Sequence, residues 1–306
     1  MLKTYIKEFG IFLLALTSTG RVMRILGCKN HKLLNAYDKF KHKMIISYLW
    51  KKYNKTLDLK LPEPIGNNNS DTSNLCFCFW WQGEENAPEV VKACINSIKK
   101  NHNGKVIILS EKNYAKYSNI PLYVIKKMEQ GKMTLTHFSD ILRYNLLYNW
   151  GGAWIDATCL LTKAIPTKCY NAEYFSLKNA FFDSMAFKWT NFYVHIKRGN
   201  VIAEQMLNFF YTYWAEHNCL LTYLLIDCWQ FNLYKHTNFK QIINKMPEEG
   251  KDVFRVTTHL NEEYDEKKWA IIDTYYIYKL TYKQSFNKYT KDGKLTNYGY
   301  IIQQYS

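Results

Sequence analysis

Three short segments limit the fold of this chain more than anything else in it: LCFCFWW (75–81), PEVVKACINSIKKN (88–101) and KVIILS (105–110). The first and third are apolar runs of strand length. The second carries its apolar residues at helical spacing, with proline at its first turn. A strand, a helix and a strand within about 35 residues make a βαβ unit, which favours a parallel sheet and a right-handed crossover. The spacing therefore predicts an α/β domain. Its first loop, QGEENA, lacks the glycine spacing of a dinucleotide or P-loop cradle, so dehydrogenase and kinase-like functions lose most of their support.

Further along, a short helix is expected from Pro121 to Gln130 and a longer one from Thr136 to Asn149, capped by Ser139 or Thr136. The run AWIDATCLL (153–161) reads as one buried strand, EYFSLKN and AFKWTNFYVHI as further strands, and 201–235 as two helices. Ahead of the βαβ unit, PEPIGNNNSDTSN (62–74) reads as a linker and 1–61 as a basic helical arm.

The formal charge of +15 is concentrated in that arm, where residues 1–57 hold twelve Lys or Arg against Glu8 and Asp38. Its longest apolar run, Ile11 to Leu16, is far shorter than the roughly 20 residues of a membrane span. With Phe12, Leu13, Leu33, Leu34, Tyr48 and Trp50 among them, these cations suit helices lying on an anionic leaflet, and a simply solvated face is the competing reading. No helix-turn-helix, RRM or finger pattern accompanies the charge, so no nucleic-acid partner is expected. The eight cysteines include no CxxC pair and sit mostly in apolar runs, which reads as reduced core thiols in a cytoplasmic protein, with no zinc site.

One stretch places charge among core residues: SDILRYNLLYNWGGAWIDAT (139–158). On a helix, Asp140, Arg143 and Tyr144 project to one side. Gly151 and Gly152 allow a tight reversal that delivers Asp156 to a strand end beside that helix. A buried carboxylate costs several kcal/mol unless paired, so Asp156 needs a partner. Either Arg143 locks helix to strand as an ion pair, or these charges face a pocket. Both readings stand at this level.

The order Asp, two spacers, Arg-Tyr, Gly-Gly and Asp resembles the capsular polysaccharide synthesis protein family, within the DXD-type sugar transferases that include Golgi α-mannosyltransferases and clostridial glucosylating toxins. Residues 79–113 resemble that family's opening strand, loop, helix and strand. The resemblance implies a GT-A type, Rossmann-like glycosyltransferase fold over 75–306, with 75–165 as the nucleotide-sugar half and 166–306 as the acceptor half. By the same likeness, Asp140 and Arg143 hold the donor sugar, and Asp156 approaches a metal or the ribose. Tyr144, Gly151, Gly152 and Thr158 fall on the donor side. Trp80 or Trp81 stacks on the base; neighbours on a strand face opposite ways, so at most one enters the pocket, and Trp81 is preferred as nearer the strand end. Lys279, Thr281 and Lys283 close over the phosphates, and His259 is a further metal ligand beside Asp156. Mn2+ or Mg2+ is the implied cofactor, although Thr158 stands where DXD families place a second acid.

The implied function is retaining transfer of a hexose from a UDP- or GDP-sugar to a capsular or surface polysaccharide, with a glycan or lipid-linked glycan as acceptor. A non-catalytic nucleotide-sugar-binding or scaffold protein is the alternative. The expected location is the cytoplasm, with the arm a candidate for contact with the inner face of the cell membrane.

Overall fold

The computed structural model describes residues 2–66, 74–178 and 188–306; of Arg21 only the backbone is described. Parts of the expected linker (67–73) and of the strand expected over 186–196 lie outside the described residues. The strands are β1 (Cys76–Phe79), β2 (Val106–Leu109), β3 (Gly152–Ile155), β4 (Cys159–Leu161), β5 (Tyr174–Ser176), β6 (Tyr193–Ile196) and β7 (Ile277–Lys279). Five of them form one sheet in the order β2-β1-β3-β6-β5. Pairing of β1 with β2 and with β3 is parallel, whereas β6 runs antiparallel to both β3 and β5. The βαβ prediction holds: helix Glu89–Asn101 joins β1 to β2, with Val91, Cys94, Ile95 and Ile98 buried.

Alternation along β1 explains why both sheet faces are covered. Phe77 and Phe79 enter a core shared with helices Leu135–Trp150 and Val201–Glu216, while Cys76 and Cys78 enter a second core beneath helix Glu89–Asn101. All eight cysteines are free thiols, and seven are buried.

The expected single strand over 153–161 is broken. Asp156 accepts at its carbonyl from the Cys159 amide (2.8 Å), and its own amide donates to the Phe192 carbonyl (2.9 Å), so the chain turns at 156–158. Past the turn, β4 leaves the main sheet and pairs antiparallel with β7, aligning Cys159 with Lys279. Beyond the turn Ala157, Cys159, Leu160 and Leu161 remain buried, in the second core.

The basic arm forms helices Leu2–Ile25 and His31–Tyr53, and it packs firmly on the body. Phe9, Leu13, Leu16, Ile45, Leu49 and Tyr53 belong to the same core as Phe77 and Trp154. Tyr5 donates its hydroxyl to the Leu221 carbonyl (2.9 Å), and the Asn218 amide donates to Glu8 (3.0 Å). Burying each large apolar side chain contributes about 1.5–3 kcal/mol, so the arm is part of the folded unit. Among the described residues no helix is long and apolar enough to cross a membrane.

Candidate functional site

Helix Leu135–Trp150 begins at Thr134, whose hydroxyl accepts from the His137 amide (3.2 Å). This corrects the expected cap: Ser139 lies inside the first turns and spends its hydroxyl on the Thr136 carbonyl (2.6 Å). The helix stops at Gly151, which has φ 70°. Gly152 follows with φ 89°, and a Cβ there would stand 2.3 Å from the Leu75 carbonyl oxygen. Gly152 is required by the close approach of β3 to the chain entering β1, and Gly151 by the Arg198 amide nitrogen, which a Cβ would meet at 2.7 Å.

That reversal brings the predicted charges together. Arg143 donates through Nη1 to Asp140 Oδ1 (2.9 Å) and through Nη2 to Asp156 Oδ1 (3.3 Å). The Trp154 indole donates to the same Asp156 oxygen (2.7 Å), and the guanidinium lies 4.9 Å from the Trp154 ring centre. On the other Asp156 oxygen, Lys279 Nζ donates at 2.7 Å, and the same ammonium donates to Thr158 Oγ1 at 2.7 Å. Burial opposes ionisation of Asp156, but the charges of Lys279 and then Arg143 outweigh it and hold the carboxyl down at about 2. Asp156 is therefore an anion at neutral pH.

Each reading holds for part of the charged stretch: Arg143 ties the helix to the strand, and of the three charges Asp156 faces a pocket. Asp156, Trp154 and Thr158 line an open cavity of about 410 Å³ at the carboxyl ends of β1 and β3. Asp140 and Arg143 do not line it; they are 8% and 4% exposed and lie behind Asp156 as its support. Trp80 and Trp81 both line the cavity, which corrects the expectation that only one would. The strand ends at Phe79 and turns immediately, so the two rings leave strict alternation: Trp81 leans on Tyr114 and Phe138, and Trp80 meets Tyr282 edge-on at 5.2 Å.

Other predicted residues lie elsewhere. Tyr144 is fully buried, and its hydroxyl donates to Asn191 (3.3 Å), away from the cavity lining. Thr281 accepts from the Lys283 amide (3.1 Å), Lys283 is exposed, and of this loop it is Tyr282 that lines the cavity. His259 Nδ1 donates to the Arg255 carbonyl (2.8 Å) at the end of a short helix, and it is not part of the cavity wall.

Asp227, in helix Leu225–His236, was not anticipated. It accepts from Asn191 Nδ2 (2.9 Å), and burial, then the Asp140 charge, push its carboxyl up to about 7. Most of the Tyr223 side chain is exposed, but desolvation of its hydroxyl and then the charges of Asp140 and Asp156 hold it above its ordinary value, with Asp227 adding to it, so these groups share one neighbourhood. Its one sequence signal is a lone acid inside the apolar run LLIDCWQF.

The residues of the cavity wall are the ones a divalent cation would have to use. Among the described residues no group of three or more His, Cys, Asp or Glu is placed to hold a metal. The site offers Asp156, whose two oxygens already carry cationic partners, and the Thr158 hydroxyl, which Lys279 already uses. Mg2+ is commonly held by one or two carboxylates with water and substrate phosphates completing the shell, and here the carboxylate offered already serves two cations. An ion on the free edge of Asp156 would also stand about 4 Å from an ammonium, a repulsion of roughly 8 kcal/mol at an effective dielectric constant near 20. These residues do not fit Mn2+ or Mg2+.

Three comparisons bear on the chain. The family described as capsular polysaccharide synthesis protein matches residues 27–300, which leaves helix Leu2–Ile25 outside the matched span. A protein described as glycosyltransferase afumC, from Aspergillus fumigatus, is 26% identical over 175 residues, covering 51% of this chain and 44% of that relative. The chain therefore matches less than half of that relative's length. Among solved structures, the PaToxG glycosyltransferase aligns over 70% of this chain and 83% of its own, with 15% identity and a TM-score of 0.41.

Proposed function

The chain belongs to the capsular polysaccharide synthesis protein family, and from that premise we propose that it is a GT-A type glycosyltransferase moving a hexose from a UDP- or GDP-sugar to a surface polysaccharide or lipid-linked glycan. The observation that carries this reading is an ionised Asp156 on the wall of a cavity of about 410 Å³ at the carboxyl ends of parallel strands. Open α/β sheets bind ligands at that edge, and the volume suits a nucleotide-sized ligand. Trp80, Trp81 and Tyr282 offer aromatic faces for a base. Asp156 is the acceptor for ribose or sugar hydroxyls. Arg143 and Asp140 act as positioning residues, since Arg143 meets the cavity lining through Asp156 and the Trp154 ring and Asp140 holds Arg143. Retention, which the family likeness implies, would then proceed by same-face attack, because the Asp156 carboxylate on the cavity wall is already held by Arg143, Trp154 and Lys279.

Nucleoside diphosphate release from a panel of UDP- and GDP-sugars is the test. Release should occur slowly without acceptor and fall by about 10²–10³-fold in Asp156→Asn. Tight nucleotide binding with no release from any donor across a broad acceptor panel would instead establish a binding or scaffold protein.

We also propose that the arm rests on an anionic membrane face. Ile11, Phe12, Val22 and Ile25 on the first helix, and Leu26 just beyond it, are exposed, while Leu13 and Leu16 of that helix are in the core. Lys3, Lys7, Lys29 and Lys32 flank this apolar stripe. Each basic residue near such a surface contributes about 1 kcal/mol.

A further inference from the structure

Cleavage of a sugar–diphosphate bond leaves negative charge on the departing phosphate, and a site that excludes water must meet that charge with a cation. On the cavity wall, Asp156 and Thr158, the pair beside which a bound divalent ion would stand, are bridged by the Lys279 ammonium. Two of its three N–H donors go to Asp156 Oδ2 and Thr158 Oγ1, both at 2.7 Å. The third has no hydrogen-bond partner among the described residues.

This placement is built into the backbone. Lys279 ends β7 opposite Cys159 on β4, its amide donates to the Val253 carbonyl (2.8 Å), and the next amide, Leu280, donates to the Thr158 carbonyl (2.8 Å). The ammonium also lies 5.1 Å from the Phe192 ring centre. Lys279 is not itself among the residues that line the cavity; its ammonium is held against the wall by Asp156 and Thr158, 123 residues along the chain from the carboxylate it pairs with.

We propose that Lys279 takes the place of a divalent cation, so that sugar transfer in this protein proceeds without Mn2+ or Mg2+; the proposal rests on the transferase reading above. In the step, the bond between the sugar anomeric carbon and the diphosphate oxygen breaks and its electron pair stays on that oxygen. The oxygen receives the free Lys279 N–H. The acceptor hydroxyl oxygen forms the new bond to the anomeric carbon, and its proton passes to the released phosphate oxygen. The Thr158 hydroxyl, standing where a second carboxylate would recruit a metal, keeps the ammonium aimed without adding negative charge.

The full chain is titrated with Mn2+ while the free-ion electron paramagnetic resonance signal is followed, and donor hydrolysis is measured with EDTA and with Mn2+. The wild type should show no saturable Mn2+ site linked to Asp156, and its hydrolysis should be indifferent to EDTA. Lys279→Gln should lose about 10²–10³-fold in release, with partial recovery in Lys279→Arg, which shows that charge rather than folding is at issue. The double variant T158D/K279A should acquire Mn2+ binding that Asp156→Asn removes. A wild-type Mn2+ site abolished by Asp156→Asn, or hydrolysis lost in EDTA and restored by Mn2+, overturns the proposal. Absence of release from every donor would count against the transferase reading alone, because the Mn2+ titration needs no donor and decides the metal question independently.

Discussion

At the scale of single residues, the site is an alternating set of charges: Asp140, Arg143, Asp156 and Lys279, linked in that order by hydrogen bonds of 2.9, 3.3 and 2.7 Å. Removing one member of a buried pair leaves its partner uncompensated. Arg143→Ala should therefore cost about 3–5 kcal/mol in urea denaturation, and a loss below about 1 kcal/mol would show the pair to be incidental. Two acids pull the pH dependence of stability in opposite directions. Asp156 has its folded value lowered from 3.8 to about 2, so its contribution is present above about pH 4 and is lost as pH falls toward 2. Asp227 has its folded value raised from 3.8 to about 7, so stability declines as pH rises through that interval. Asp227→Asn should flatten this decline and raise Tm relative to wild type at pH 8. Identical melting curves at pH 4.5 and pH 8 in both proteins would refute the assignment. Arg143 and Asp156 were legible as partners because opposite charges inside an apolar run must pair. Asp227 was not, because what raises it, burial and a neighbouring Asp140 from another helix, exists only after folding.

Among the elements, the reversal at Gly151-Gly152 and the break at Asp156 position everything else. Gly152→Ala places a methyl group 2.3 Å from the Leu75 carbonyl and asks an L-residue to hold φ 89°. The expected result is a loss of about 2 kcal/mol or more, or failure to accumulate soluble protein. Unchanged stability would mean that β3 can shift away from the chain entering β1. The break after Ile155 was invisible in AWIDATCLL, because nothing in a continuous apolar run marks where a chain changes sheets. That decision belongs to β7, which offers the pairing edge. Conversely, the helix over 135–150 was readable from its period, and only its cap was misassigned. Thr134 and Thr136 are chemically equal candidates, and the two added residues of helix decide between them.

For the whole molecule, the arm is both part of the core and the bearer of an outward apolar stripe, so deleting residues 1–57 would uncover Phe209 and Tyr213, ring neighbours of Tyr53, as well as remove a surface. A cleaner test changes exposed residues. F12E/I25E should keep its melting temperature and lose recovery with anionic liposomes in flotation, and equal recovery by wild type and variant would end the membrane proposal. The sequence by itself determined the alternation of strand and helix, the apolar faces and the Asp140–Arg143–Asp156 grouping, because these follow from periods and spacings within about twenty residues. Only the tertiary structure decided that Asp140 and Arg143 stand behind the cavity, that both tryptophans enter it and that Lys279 closes the set. Those outcomes depend on which distant backbone edges pair, and pairing energies between remote segments leave no local mark on either one.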